Sequence, residues 1–331
     1  MASATPLSVG IIGLGRIAEG YDSPDGPGIA THIKACLHDD RLKIAWIADV
    51  DAARAAAVRA RWNLSAEIVA PDVLVQKRPD ILCIASPDET HPAWIEVALK
   101  SPPRLLLCEK PLSQNLADAE RLVGAARAAS VPLAVNFFRR WLPDVAAWLA
   151  KARSGGFGAP MAGRLSYCRG LRHNACHGFD ILGAAFPGAV TRAAKVGPAL
   201  DDFTDWDPTV SGILEVESNG RRIPITLLGA DGRLANVFEL DLLFADGRLR
   251  IWNEGGLRMR IYGAAARPTG GIATEFRVEH DFHDNPPRHM LAVWRNLADH
   301  LLTGAALCCR AEDTIDGMRL VEKMAQAPVL R

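Results

Sequence analysis

Gly13, Gly15 and Ala18 form a G-x-G-x-x-A run directly after the apolar residues 9–12. In such a run the first glycine permits a tight turn. The second lets backbone approach a pyrophosphate with no Cβ in the way. The alanine lets a helix pack closely on the strand, and the N-terminus of that helix faces the phosphate charge. Gly13, Gly15, Arg16 and Ile17 are therefore candidate dinucleotide-binding residues. Asp49 ends the next apolar run, 42–49. A carboxylate there accepts hydrogen bonds from the adenosine ribose and repels a 2′-phosphate, which favours NAD, with NADP as the alternative. Its separation from the glycines exceeds the usual ~20 residues. A Gly-, Pro- and Asp-rich loop at 20–28 takes up part of the excess.

Three further groups carry chemistry. Ser86, Pro87 and His91 follow the apolar run 79–85, and Glu109 and Lys110 follow the run 105–108. A lysine at a strand end can hold a substrate hydroxyl and move protons when partial burial disfavours its charge, and Glu109 could orient it; the alternative is a surface ion pair. His173 and His177 lie four apart in a segment that reads as helix, hence on one face. A His-x-x-x-His pair can bind zinc, but Asn174 stands where a metalloprotease carries its base and no third ligand is near, so no metal is expected. Arg139 and Arg140 could bind a carboxylate or phosphate of a substrate, or form structural ion pairs. Cys176 reads as a packing residue, and His32 and His280 as ordinary core or surface histidines.

The elements that must position these residues fall into two textures. Up to residue 136, apolar runs alternate with helical segments; Asp51 caps a helix at 52–62, and Ser113 or Asn115 caps another ending at 129. This alternation predicts a doubly wound parallel sheet with right-handed crossovers. Ligands of such sheets lie beyond the carboxyl ends of the strands, and Gly13, Asp49, Ser86, His91, Glu109 and Lys110 all fall on that rim. Beyond a Gly- and Pro-rich break at 154–160, residues 161–168, 210–217, 222–228, 237–244 and 249–252 read as strands. Hairpin signals stand at 218–220 and 245–247. One helix is expected at 173–185 and two terminal ones at 290–302 and 314–326. The fold class is thus α/β: a Rossmann domain over 1–136, then an α+β domain over 137–331 with a mostly antiparallel sheet, its terminal helices free to pack back on the first domain.

Composition narrows the function classes. The chain has 331 residues, 49% hydrophobic, with 38 basic and 38 acidic side chains. That balance gives no electrostatic reason to bind nucleic acid or an anionic membrane. No apolar run approaches the ~20 residues of a membrane span. Residues 1–8 lack a targeting pattern. The seven cysteines are scattered without a C-x-x-C and read as reduced, which points to the cytoplasm.

Gly13-Leu14-Gly15-Arg16-Ile17-Ala18, Ser86-Pro87 with His91, and Cys108-Glu109-Lys110-Pro111-Leu112 resemble the Gfo/Idh/MocA oxidoreductases, relatives of glucose-fructose oxidoreductase and inositol dehydrogenase. The segment 173–182 and the terminal helix after Asp313 are also similar. The resemblance implies an open sheet in the second domain and a homodimer or homotetramer built through it. It implies NAD(P)-dependent exchange of a hydride with a hydroxyl or ketone carbon of a sugar-like substrate. It marks Lys110 and His177 as catalytic; His173 and Arg140, from their own positions, are candidate substrate contacts. The family's orienting aspartate, four residues before the histidine, is His173 here. That departure points to Lys110 as the main proton-transfer group and to an anionic substrate. Two other classes are a redox-neutral NAD-dependent glycosidase of this fold and a non-catalytic dinucleotide- and sugar-binding regulator; retention of Lys110 and His177 disfavours the second.

Overall fold

The computed structural model describes residues 5–70, 77–264 and 276–330. Residues 1–4, part of the segment read for a targeting signal, lie outside them. The chain divides into two compact units, Met1–Pro143 with Pro286–Asp313, and Asp144–Asn285 with Thr314–Arg331.

In the first unit, β1 (Leu7–Ile12), β2 (Leu42–Ala48), β3 (Glu67–Ile68), β4 (Ile81–Ile84), β5 (Leu105–Cys108) and β6 (Leu133–Val135) make one parallel sheet in the order β3-β2-β1-β4-β5-β6. Every residue of β4, β5 and β6 is buried. Continuous burial is the mark of a parallel strand covered on both faces, and it explains the unbroken apolar runs in the sequence. β1 pairs with β2 on one side and β4 on the other. Strand order therefore reverses at β1, and its carboxyl end is the switch point where such sheets bind ligands.

The helices of this unit are α1 (His32–Leu37), α2 (Ala52–Arg61), α3 (His91–Lys100) and α4 (Leu116–Ala128). Asp51 caps α2 by accepting the N–H groups of Ala53 and Arg54, and Asn115 caps α4 through Asp118 N–H. The helix expected straight after Gly15 is a single π-type turn, Arg16–Gly20, and the chain then loops to α1. Pro24 and Pro27 among glycines cannot continue a helix. The loop is firmly built. Asp22 Oδ2 accepts from Ala30 N, Thr31 N and Thr31 Oγ1 at 2.8, 2.8 and 2.7 Å. The Lys34 ammonium donates to the carbonyls of Ser23 and Gly26 at 2.6 and 2.5 Å.

The first unit is not contiguous in sequence. The helix His289–Thr303 and its flanks return to it: Ile29 N–H donates to Pro287 O at 2.6 Å, and Val135 N–H to Cys309 O at 3.1 Å. Of the two terminal helices expected, this one belongs to the first unit and the last belongs to the second.

The second unit holds α5 (Pro143–Arg153), α6 (Cys176–Ala185) and, with His289–Thr303 counted as α7, α8 (Ile315–Gln326). Its sheet comprises β7 (Pro160–Tyr167), β8 (Ala189–Thr204), β9 (Asp207–Ser218), β10 (Arg221–Gly229), β11 (Phe238–Phe244), β12 (Gly247–Asn253), β13 (Leu257–Ala264) and β14 (Phe276–Asp284). They run in the order β14-β13-β12-β11-β7-β10-β9-β8, antiparallel except for β7 beside β10. Both expected hairpins form. Asn219 and Gly220 take φ of 51° and 71°, the left-handed turn that suits a two-residue hairpin. α6 crosses α8 backbone to backbone: a Cβ on Gly183 would fall 2.6 Å from Gly317 N.

Candidate active site

The glycine turn is stitched to its neighbours. Gly13 has φ of +85°, and a Cβ on it would fall 2.5 Å from Ser86 N. Its N–H donates to Ala48 O at 2.9 Å. Leu14 N–H donates to Asp49 Oδ2, and Asp51 N–H to Asp49 Oδ1, both at 2.9 Å. At Gly15, by contrast, a Cβ would meet nothing within 4 Å. A turn fixed from behind and open at its second glycine is the shape a pyrophosphate needs. Arg16 and Ile17 begin the turn that follows, on the open side. Asp49 is buried; of the roughly four acceptor positions of a carboxylate, Leu14 and Asp51 take two and the Arg54 guanidinium, 3.5 Å from Oδ2, takes a third, leaving one for a ribose hydroxyl.

Ser86 and Pro87 open the turn beyond β4, with Ser86 Oγ 2.6 Å from Thr90 Oγ1. His91 was expected to touch cofactor. It is fully buried instead, Nδ1 lying 2.8 Å from Pro111 O and Nε2 2.9 Å from Ser86 O. Its ring is spent on joining the turns after β4 and β5, so it supports the rim from behind.

Glu109 and Lys110 stand at the end of β5, and Lys110 is half-buried. Glu109 Oε1 accepts from Asn136 Nδ2 at 2.6 Å and lies 2.9 Å from His32 Nε2, while Oε2 is 3.3 Å from the Lys110 backbone N–H. Burial pushes the Glu109 carboxyl up; the His32 and Asn136 hydrogen bonds and the Lys110 charge outweigh it and hold the group below its ordinary value. Asp88 also feels the Lys110 charge, but there burial wins and the carboxyl is raised.

His32, by sequence an ordinary core or surface histidine, is completely buried and belongs to the site. Trp294 Nε1 donates to its Nδ1 at 3.1 Å. Burial works against a charged ring, while Cys83 and Glu109 together would lift its pKa to about 10. The indole decides between them: an indole N–H only donates, so Nδ1 must be unprotonated. The ring is therefore neutral, with its proton on Nε2 facing Glu109. Only a histidine within the apolar flank of α1 hinted at this. Its partners stand far off in sequence.

Arg139 and Arg140 lie on the short turn Phe138–Trp141 and are 5% and 2% exposed. Arg140 Nη1 donates to Asp313 O at 3.1 Å, and Nη2 is 4.0 Å from its carboxylate. Burial pushes the Asp313 carboxyl up; its hydrogen bonds to Arg310 and the Arg140 charge hold it low. Arg140 thus makes the internal ion pair rather than the substrate contact assigned to it.

In the second unit His177 sits in the first turn of α6, 9% exposed and edge-on to Phe238 at 6.5 Å. His173 is not on that helix but on the π-type turn before it, Leu171–Ala175, and its ring stacks on Phe203 at 4.2 Å. Asp207, at the start of β9, accepts the backbone N–H groups of Arg172 and His173, each at 2.8 Å. It binds the turn that precedes α6. Burial raises its carboxyl against those bonds. Among the described residues no group of three or more His, Cys, Asp or Glu could hold a metal ion. None of the described helices is long and apolar enough to cross a membrane.

Residues 7–137 match the family model described as an oxidoreductase family with an NAD-binding Rossmann fold. That region, 7–137, is the NAD-binding Rossmann region of the Gfo/Idh/MocA oxidoreductases. Along its length the chain is 26% identical over 323 residues to D-apiose dehydrogenase of Paraburkholderia graminis, covering 88% of this chain and 82% of that protein. It is 32% identical over 147 residues to inositol 2-dehydrogenase of Rubrobacter xylanophilus, covering 44% of this chain and 42% of that one. Among solved structures, an Agrobacterium radiobacter oxidoreductase in complex with NAD+, L-tartaric acid and magnesium superposes with a TM-score of 0.73. It is 19% identical, and the match covers 98% of this chain and 96% of that one. The aldose-aldose oxidoreductase of Caulobacter crescentus superposes with a TM-score of 0.74 at 14% identity, with 97% of each chain covered. At these identities the solved structures speak for the fold alone, a Rossmann unit followed by a second unit with a large, mostly antiparallel sheet. The family's NAD-binding region is the one that carries the open glycine turn and Asp49 here.

Proposed function

We propose that this oxidoreductase exchanges a hydride between nicotinamide and a hydroxyl-bearing carbon of a sugar-like substrate. The observation that carries the reading is Lys110. It stands half-buried at the end of β5 beside a buried Glu109 held ionised, on the same sheet rim as the glycine turn and Asp49. When bound, the nicotinamide supplies the hydride acceptor or donor. The protein's part is positioning and proton transfer. Gly13 and Gly15 shape the turn for the pyrophosphate, with Arg16 and Ile17 following it and Ser86 and Pro87 on the adjoining turn. Asp49 offers its remaining acceptor position to the ribose, which favours NAD. Lys110 holds the reacting hydroxyl and takes or returns its proton. His177 is the further acid–base group, carried on α6.

The anionic-substrate reading loses its guanidinium support, because Arg139 and Arg140 are buried and Arg140 is committed to Asp313. A neutral polyol or aldose fits better. The dehydrogenases it resembles are named for D-apiose and inositol, and these head the substrate panel. Appearance of reduced nicotinamide with one of these, lost in Lys110→Met, supports the reading. Turnover at wild-type rate in a folded Lys110→Met variant overturns it. For assembly, we expect a second copy against the second unit's sheet, and light scattering on the eluting protein tests it.

A further inference from the structure

We propose that His32 is a positioning residue for Lys110, acting through Glu109. The proposal rests on reading Lys110 as the proton-transfer group and adds a second layer behind it. Three observations lead to it. The His32 ring is wholly buried, yet both of its nitrogens are engaged, Nε2 with Glu109 at 2.9 Å and Nδ1 with the Trp294 indole at 3.1 Å. The Glu109 oxygen facing His32 also takes the Asn136 amide at 2.6 Å, and its other oxygen turns back to the Lys110 backbone N–H at 3.3 Å. The short helix bearing His32 is anchored at its entry by Asp22, which takes three hydrogen bonds from Ala30 and Thr31.

A buried carboxylate stays ionised only if donors replace its water. Glu109 has two side-chain donors, and His32 is one of them. Trp294 fixes which imidazole nitrogen carries the proton, because its N–H needs an acceptor at Nδ1. The result is an oriented relay, indole to imidazole to carboxylate, that ends on the peptide of Lys110. Other titratable groups face it. Cys83 lies beside His32, while Cys108 and Asp88 flank Glu109 and Lys110. Burial pushes the Cys83 and Cys108 thiols up, so they stay neutral and leave the carboxylates, Glu109 and Asp88, as the acidic groups next to the lysine, of which Glu109 is the one His32 holds. An anion held there favours the protonated amine. His32 thereby sets how readily Lys110 gives up its proton without touching substrate.

The test reads Lys110 directly and needs no substrate, so it stands or falls apart from the dehydrogenase reading. The whole protein is labelled with trace acetic anhydride at about pH 8, where free amines react and ammonium groups do not. Peptide mass spectrometry then compares Lys110 with Lys43 and Lys100 in the same sample. His32→Phe keeps the ring's shape but removes both hydrogen bonds. It should raise relative labelling of Lys110 severalfold. His32→Gln restores a donor toward Glu109 and an acceptor toward Trp294, and should return labelling to the wild-type level. NAD affinity by calorimetry should be the same in all three. In the wild type, nitrogen NMR of labelled histidine should show the neutral Nε2–H ring. Unchanged Lys110 labelling in folded His32→Phe, equal effects of Phe and Gln, or an Nδ1–H ring would each overturn the proposal. If His32→Phe does not fold, His32→Leu, which also removes both hydrogen bonds, carries the test; unchanged Lys110 labelling there overturns the proposal too.

Discussion

Asp49 accepts the backbone N–H of Leu14 at 2.9 Å, so the acid at the end of β2 is also the clamp on the glycine turn. One side chain therefore serves two functions that mutation can separate. Asp49→Asn keeps an acceptor for Leu14 and removes the charge. We expect it to move the affinity ratio toward NADP by at least about tenfold, since a like-charge contact costs several kcal/mol. Asp49→Ala also frees the turn. It should weaken NAD by about tenfold or more, because hydrogen bonds to charged groups contribute about 1.5–3 kcal/mol. Calorimetry with both cofactors checks this; equal behaviour of Asn and Ala would show that the clamp on the glycine turn has no separate part.

Glu109 gives the stability a pH signature. Its carboxyl is held below the ordinary value of 4.5 in the folded chain. It therefore contributes stability that is complete above that value and is lost as pH falls through the lower, folded-state value. Glu109→Gln should cost most near neutrality, and the gap to wild type should close in acid. Calorimetric melting of both proteins from about pH 7 downward reads this. A gap that stayed constant to the acid limit would mean that the charge does not matter.

The legible part of the sequence was what repeats locally. The unbroken apolar runs of β4 and β5, the caps at Asp51 and Asn115 and the Asn219-Gly220 turn each carry their reason within a few residues, and all form. Strands β8 and β14 gave no such signal, because most of their side chains are exposed or half-buried and no apolar alternation marks them. At the site, residue types were legible but their partners were not. His32 meets Trp294 across 262 positions and Glu109 across 77. Arg140 meets Asp313 across 173, a distance at which no local pattern distinguishes an ion pair from a substrate anchor. His173 looked like a second ring beside His177 because a helix was read through both. The π-type turn at Leu171–Ala175 and the Asp207 bonds give it a different setting.

Arg140 separates a structural charge from a binding one. Its guanidinium is 2% exposed, and breaking a buried ion pair by removing one partner costs about 3–5 kcal/mol. Arg140→Gln should lower the melting temperature markedly while leaving the KM of the surviving folded enzyme near wild type. A variant with wild-type stability and a KM raised many-fold would restore Arg140 as a substrate anchor.

The crossing of α6 and α8 makes the setting of His177 sensitive to a single methyl group. A Cβ on Gly183 would lie 2.6 Å from Gly317 N and 2.9 Å from Asp316 C, both backbone atoms. Side chains can swing aside, but helix backbones must separate as a whole. Overpacking of this kind typically costs about 1–3 kcal/mol. Gly183→Ala should therefore destabilise the second unit by at least that much. It should also displace α6, so kcat falls through His177. NAD affinity should be unchanged, because the glycine turn and Asp49 belong to the first unit. Gly15→Ala provides the contrast. There a Cβ meets no protein atom within 4 Å, so stability should hold while NAD binding weakens, the methyl group standing where the pyrophosphate approaches. Calorimetric melting and cofactor titration of the two variants should give opposite patterns. Loss of NAD binding in Gly183→Ala, or its retention in Gly15→Ala, would break the assignment of one unit to cofactor and the other to His177.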